Sequence, residues 1–324
     1  MKTELHPNVR DFLARPIPHH IGGQPRLTAV GKVTNPSDGA PLAEVSLGGA
    51  AEVDLAVTAA AKAFPAWAAL RPNERAALLH RFADTLEKHA AEIAQLESLD
   101  VGKAIAAAEG FDVPFGIQCL RYFADLSTQA HYNLPLAIKN MEARTWRVPY
   151  GVCGFIFPWN FPFTLLCWGI APALAAGNTV VVKPSEVTPL SSLFVAKLAA
   201  EAGLPPGVLN VVNGDGANVG AALAAHRGIK RMSFTGSPEV GKKIGEVCGR
   251  NLVPCKLELG GKGAAVVFDD VDVEAAATQL AGAITLNTGQ VCCTATRWMI
   301  HEKIYDRFVG QVTSVLKQTK IGPG

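Results

Sequence analysis

Cys292 and Cys293 stand side by side in NTGQVCCTATR, residues 287 to 297. A cysteine attacks carbon as the thiolate, so a nucleophilic one needs exposure and a nearby base. Free cysteines are more often buried and inert, so the pair alone leaves both readings open. Glu258 lies in LELGGKG, in an apolar run just before Gly260-Gly261. A carboxylate in such surroundings can work as a general base. An ion pair with Lys256 or Lys262 is the plainer alternative. Asn160 sits in FPWNFPF, flanked by Trp159 and Phe161 and bracketed by Pro158 and Pro162. Proline fixes φ, so the bracketing holds a side-chain amide in an apolar wall. A rigid amide donor suits a developing oxyanion. It equally suits buried backbone groups that need a partner.

Other stretches fit phosphate and ribose. VVVKPSE places Lys183 and Glu186 just past the C-terminal end of an apolar strand, where open α/β sheets bind ligands. The lysine can hold a ribose hydroxyl or phosphate, and the glutamate can accept from ribose hydroxyls. A solvated loop is the alternative. In RMSFTGSPEVGKKI a strand runs into Gly236-Ser237, and Pro238 stands where a helix starts. Free N–H groups and the helix dipole there suit a phosphate, with the Ser237 hydroxyl as a further donor. An ordinary strand-to-helix turn reads the same way. VLNVVNGDGANVG carries Gly214, Gly216 and Gly220, one residue too long for GxGxxG, and fits a tight turn as well as a phosphate loop.

The elements that position these residues follow from periodicity. After Gly151 short apolar runs alternate with helix-type runs: GFIF then 163–176, TVVVK then 189–202, VLNVV then 217–225, RMSFT then 238–248. KLELG and AAVVF follow, then a helix over about 272–287 and another over 302–319. Apolar strands alternating with helices predict an α/β fold with a doubly wound, mostly parallel sheet. Helical periodicity also covers 52–69 and 73–99, with Ala77, Leu78, Phe82, Leu86, Ile93 and Leu96 near one face and Asn73 as N-cap. Residues 131–149 interrupt the pattern and read as a strand pair or hairpin.

Composition narrows the classes. A chain of 324 residues that is 49% apolar suggests two domains, or one large α/β domain with insertions. Thirty basic and 28 acidic residues balance to +2, without a basic tail, so no nucleic-acid partner is expected. The seven cysteines form no CxxC pair, so neither a disulfide framework nor a metal cluster is expected, and a reducing, cytoplasmic compartment is. MKTELHPNVRDFLARP lacks an apolar signal region. Pro149 to Val182 carries no charge at all, over the length of a membrane span. Pro158, Pro162 and Pro172, with Gly169, Gly177 and Asn160, argue instead for a buried strand–loop–helix–strand and no membrane partner.

Taken together, FPWNFPF, GNTVVVKPSEVTPLS, AGLPPGVLNVVNG, SFTGSPEVGKKI, LELGGKGAAVVFDD and NTGQVCCTATR resemble the aldehyde dehydrogenase superfamily, from about Val33 to the last residue. The resemblance makes Cys292, two residues after Gln290, the nucleophile, with Cys293 a neighbour that lines the site. It makes Glu258 the general base and Asn160 the oxyanion donor, beside the Cys292 backbone N–H. It puts Lys183 and Glu186 on the adenosine ribose, Gly236 and Ser237 at the pyrophosphate, and Trp159 and Val240 beside the cofactor. Phe157, Pro158, Ser185, Gly216, Gly220, Phe234, Thr235, Gly241, Leu259 and Gly260 complete the implied cofactor site. The implied reaction is oxidation of an aldehyde to a carboxylic acid through a thiohemiacetal and a thioester. Losing one oxyanion donor costs about 3 kcal/mol in such a barrier. Relatives that pass the acyl group to coenzyme A generally lack the glutamate, so Glu258 favours hydrolysis. Glu186 would repel a 2′-phosphate, which favours NAD over NADP.

The resemblance further implies a discontinuous Rossmann-like NAD-binding domain (1–130 and 150–261) and a bridging or oligomerisation hairpin (131–149). Residues 262–324 match only the start of a second α/β catalytic domain. Family chains run on for about half as much again, so the sequence reads as an N-terminal portion of a longer enzyme that forms a dimer or tetramer. Apolar surface facing the remainder is then expected to be exposed. An inactive dinucleotide-binding remnant is the alternative. A cysteine hydrolase is disfavoured because no histidine stands near Cys292 in sequence.

Overall fold

The computed structural model describes residues 4–130 and 132–323. The first elements are α1 (Pro7–Leu13), β1 (His19–Ile21), β2 (Gln24–Arg26), β3 (Val30–Thr34) and β4 (Pro41–Ser46). Next come α2 (Ala50–Ala69), α3 (Pro72–Lys88), α4 (Ala90–Val101), the short α5 (Ile105–Ala107), a π-helical turn (Ala108–Asp112) and α6 (Val113–Gln129). β5 (Asn133–Ile138) and β6 (Met141–Trp146) pair as an antiparallel hairpin. The alternating region runs β7 (Val152–Ile156), α7 (Pro162–Ala175), β8 (Thr179–Lys183), α8 (Leu190–Glu201) and β9 (Leu209–Val211). It continues through a π-helical turn (Gly216–Gly220), α9 (Ala221–Ala225), β10 (Arg231–Gly236), α10 (Pro238–Arg250) and β11 (Cys255–Leu259). The last elements are β12 (Gly263–Val267), α11 (Val273–Thr285), β13 (Ala295–Ile300) and α12 (Tyr305–Lys317).

Among the described residues the main sheet has the order β11-β10-β7-β8-β9-β1-β2. β11 through β9 run parallel, as the apolar runs predict, and β1 and β2 extend the sheet antiparallel. Every residue of β7 and β8 is buried, because helices cover both faces. Cys153, Phe155, Val180 and Val182 face a core built with α3, α4, α6, α7 and α8. Val152, Ile156 and Val181 face the other way, toward α2, α9 and α10. The uncharged stretch from Tyr150 to Val182 is thus β7, a turn, α7 and β8, and no helix among the described residues is long and apolar enough to cross a membrane.

The sequence reading of 73–99 needs correcting. α3 starts at Pro72, with Arg71 at the cap and Asn73 inside the first turn. The Arg71 N–H donates to the Glu74 carboxylate at 2.7 Å, which fixes that start. The buried face is Ala76, Leu79, Phe82, Ala83 and Leu86, whereas Ala77 is exposed and Leu78 half-buried. The helix breaks at His89, whose Nδ1 lies 2.9 Å from Glu92 Oε1, so Ile93 and Leu96 belong to a separate helix.

β5 and β6 fall where the hairpin is expected, with Asn140 at φ 61° in its turn. Leu134, Leu136, Ile138, Met141 and Trp146 on it are exposed. His131 of that stretch, Met1–Thr3 and Gly324 lie outside the described residues. β12 leaves the main sheet and pairs parallel with β13. α11 and α12 supply its core, in which Val267, Val273, Ala277 and Phe308 are buried.

Candidate active site and cofactor crevice

From β7 the chain crosses to β8 and β9 on one side, and β10 then returns to the other edge of β7. The connection reverses between β7 and β10, and such a switch point opens a crevice at the C-terminal strand ends. The turn after β7 carries Phe157–Phe161, and β10 ends on Gly236, with Ser237 in the turn after it. Topology therefore puts two stretches singled out by sequence beside one crevice.

The Asn160 turn is held at its backbone. Phe157 N donates to Lys183 O at 3.0 Å, Thr188 Oγ1 to Trp159 O at 3.1 Å, and Asn287 Nδ2 to Asn160 O at 2.9 Å. The Asn160 amide itself donates to Gln290 O at 2.8 Å. Gln290 precedes Cys292 by two residues, so this bond joins the turn to the cysteine stretch.

Asn287, Thr288 and Gly289 hold φ of 51°, 56° and 80° in succession. Left-handed backbone costs a non-glycine residue about 1–2 kcal/mol. The Asn287 side chain offsets this by bonding Asn160 O and, at 3.4 Å, Gln290 O. Gln290 Nε2 returns a bond to Asn287 O at 3.0 Å. The sequence reading assigned Asn287 no role. The tolerance of Asn and Gly for left-handed backbone was the available signal in NTG.

Cys292 and Cys293 are both exposed. Partial burial still pushes the Cys292 thiol above its ordinary pKa, and the neighbouring Cys293 thiol and the Glu258 charge push it further. Glu258 is half-buried rather than enclosed, because β11 is an edge strand. Among the described residues it makes no ion pair. Lys256 instead lies 5.5 Å from the Trp168 ring centre. With Ser233, Thr235 and Phe157, these three side chains line a cavity of about 130 Å³.

Lys183 is buried, and its ammonium donates to Pro184 O at 2.6 Å and Glu186 Oε2 at 3.0 Å. Burial lowers its pKa, while the exposed Glu186 carboxylate opposes that shift. The pair offers a donor and an acceptor side by side, a set that fits a vicinal diol. Ser185 is buried next to it. A Cβ on Gly220 would come 3.6 Å from Lys183 Cδ, whereas one on Gly216 would meet nothing within 4 Å. Ser237 caps α10, its Oγ accepting from Val240 N at 3.3 Å, which leaves its hydroxyl proton for a ligand. Gly241 packs under Leu259, whose Cδ2 would lie 2.5 Å from an added Cβ. Trp159 and Val240 are exposed apolar side chains at the crevice, and Pro158 and Gly260 flank it. The side chains of Phe157 and Phe234 are buried in the two cores, and Phe157 also borders the cavity beside Glu258. These donors and acceptors fit a dinucleotide.

The sequence profile of the Aldehyde dehydrogenase family matches residues 26–324. Aldehyde dehydrogenase family 2 member B4, mitochondrial, of Arabidopsis thaliana is 43% identical over 278 residues, covering 85% of this chain and 52% of its own length. The NAD+ complex structure of an aldehyde dehydrogenase from Bacillus cereus has a TM-score of 0.96 at 37% identity, covering 99% of this chain and 66% of that one. An NADP dependent enzyme of E. coli has a TM-score of 0.93 at 34% identity, covering 95% of this chain and 65% of that one. The chain therefore spans between about half and two thirds of the length of these relatives. With a matching profile over residues 26–324 and the same fold, the chain belongs to the aldehyde dehydrogenase family.

Proposed function

We propose that this chain carries the machinery for NAD-dependent oxidation of an aldehyde to a carboxylic acid, with Cys292 as nucleophile. The observation that carries the reading is the bond from the Asn160 amide to Gln290 O, which brings an amide donor to the Cys292 stretch. The raised thiol pKa means that Cys292 attacks only with a base to take its proton, and Glu258 is close enough for its charge to be felt there. The sulfur adds to the carbonyl carbon as the thiol proton leaves. One Asn160 Nδ2 proton stays on Gln290 O, while the second and the Cys292 N–H stabilise the oxyanion. NAD, when bound, supplies the hydride acceptor. Glu258 gives the thiol proton to solvent and then takes one from water, the hydroxide adds to the thioester, and the C–S bond breaks as that proton passes to the sulfur, releasing the acid and the thiol.

Lys183, Ser185 and Glu186 would hold the adenosine ribose, and the turn at Gly236-Ser237 the pyrophosphate. Glu186 disfavours a 2′-phosphate, so NAD is preferred to NADP. Residues 1–130 and 150–261 read as the cofactor-binding unit, 131–149 as a bridging hairpin and 262–324 as the start of the catalytic unit. The exposed apolar side chains of β5 and β6 favour a homo-oligomer, a dimer or tetramer. The unpaired cysteines favour a reducing, cytoplasmic compartment.

Mass spectrometry of the Glu258→Gln protein with NAD and an aldehyde, at a pH high enough to form the Cys292 thiolate without a base, tests the reading. An acyl adduct that accumulates on Cys292, and turns over in the parent chain, is expected. No adduct on either protein, with NAD still bound, favours the second reading, a dinucleotide-binding chain without catalysis. That second reading draws on the Cys292 thiol being held above its ordinary pKa, away from the reactive thiolate.

A further inference from the structure

α4 carries Glu97, Asp100 and, just beyond its end, Lys103 in the stretch ESLDVGK. Spacing of i, i+3 puts both carboxylates on one helix face. That face is in the core: Glu97 is 0% exposed, Asp100 2% and Lys103 1%. Buried charges are costly unless bonded, so their partners show what they hold.

Glu97 Oε1 accepts the Phe163 N–H at 3.0 Å and the Ser191 hydroxyl at 2.5 Å. Phe163 is in the first turn of α7 and Ser191 in the first turn of α8. Asp100 Oδ2 accepts the Leu190 N–H at 2.8 Å, at the start of α8. Lys103 Nζ lies 2.6 Å from Asp112 Oδ2 and 3.4 Å from Glu97 Oε2. The same ammonium sits 4.4 Å from the ring centre of Phe161, the residue after Asn160. Asp112 is tied back to α7, where Thr164 Oγ1 donates to its carbonyl at 3.2 Å. The other oxygen of Asp100 has no hydrogen-bond partner.

α7 follows the Asn160 turn, and α8 follows the Lys183–Glu186 turn. We infer that Glu97 and Asp100 are positioning residues that hold the first turns of α7 and α8 from one helix, setting the Asn160 turn against the Lys183–Glu186 turn. The inference rests on the proposed roles of those two turns, as oxyanion donor and ribose site. Glu97 bonds both helices, whereas Asp100 bonds only α8. Loss of Glu97 therefore acts on the Asn160 turn, and loss of Asp100 acts on the ribose turn alone.

The test uses the whole chain labelled with 5-fluorotryptophan, following the Trp159 resonance, NAD affinity by titration, and kcat. Trp146 on β6 and Trp298 on β13 report the rest of the fold. Glu97→Leu is expected to move or split the Trp159 resonance and to lower kcat by about tenfold or more, since small misplacements of a donor are costly. Glu97→Gln keeps an acceptor oxygen and is expected to restore both. Asp100→Leu is expected to weaken NAD with a smaller change in kcat. If Glu97→Leu does not fold, Ser191→Ala, which withdraws one of the bonds, is expected to move Trp159 by less. An unmoved Trp159 in the Leu variant, or in Ser191→Ala should that variant stand in for it, overturns the inference. So do changes that Glu97→Gln fails to restore, or equal shifts at Trp146 and Trp298. Should the parent chain produce no NADH from any aldehyde, the proposed activity fails, and the fluorine resonances and the NAD titration still decide the positioning claim.

Discussion

The side-chain amide of Asn160 donates to the carbonyl oxygen of Gln290 at 2.8 Å, across 130 residues of sequence. This contact ties a turn at the edge of the main sheet to a stretch packed with α11. Asn160→Ala removes the donor and the tie together. The expected result is a fall in turnover of about 10²–10³, the usual loss for one oxyanion donor. Single-turnover NADH formation measures it, and a loss below fivefold contradicts the assignment.

The state of the Cys292 thiol makes a second prediction. Burial raises its pKa, and Cys293 and Glu258 raise it further, so little thiolate exists at pH 7. Iodoacetamide alkylation of Cys292, followed by peptide mass, is expected to rise steeply only above the ordinary thiol range. Glu258→Gln removes one raising charge, so the alkylation midpoint is expected to shift to lower pH. An unchanged midpoint would place Glu258 away from the sulfur.

Two glycines of one turn separate folding from binding. Gly214 holds φ of 153°, and a Cβ there would lie 2.4 Å from Val219 Cγ2. Gly214→Ala is expected to cost about 2 kcal/mol through overpacking and backbone strain. A Cβ on Gly216 meets nothing within 4 Å, so Gly216→Ala is expected to leave thermal stability unchanged. It should weaken NAD if the backbone there approaches the cofactor. Thermal unfolding and NAD titration of both variants check the contrast. Unchanged NAD affinity in Gly216→Ala removes that residue from the cofactor site.

Acid stability depends on two histidines of β1. Burial lowers the pKa of His19 to about 4. Burial, with the nearby Lys197 charge, does the same for His20. His19 Nδ1 accepts the Asn213 N–H at 3.1 Å, which requires the neutral ring. The folded pKa lies below the unfolded value, so the unfolded chain binds more protons between pH 6.5 and about 4. Stability from this source is complete above pH 6.5 and is lost as the pH falls through that window. The loss is on the order of 2 kcal/mol per histidine by pH 5. Urea midpoints at pH 7 and pH 5 should fall less in His20→Phe than in the parent chain. Equal falls contradict the prediction.

The parts of the fold that were legible in sequence are those whose burial is uniform. Val152–Ile156 and Thr179–Lys183 are buried on both faces, so they read as apolar strands without knowledge of their partners. β1 and β2 did not read, since three residues carry no period and Gln24–Arg26 is wholly exposed. Cys292, Glu258 and Asn160 were legible as residue types, but the bond between Asn160 and Gln290 was not. The carboxylates of ESLDVGK carry no local signal of burial. Their burial is set by Phe163, Leu190 and Ser191, between 66 and 94 residues away, which no local pattern reveals.

The most direct test of the central claim is NADH absorbance from a panel of aliphatic and aromatic aldehydes, comparing this 324-residue chain with its Cys292→Ala variant. The account predicts aldehyde-dependent NADH in the parent chain, abolished in Cys292→Ala and retained, at some level, in Cys293→Ala. Aldehyde-dependent NADH that survives in Cys292→Ala and is lost in Cys293→Ala would assign the nucleophile to the other sulfur and contradict it.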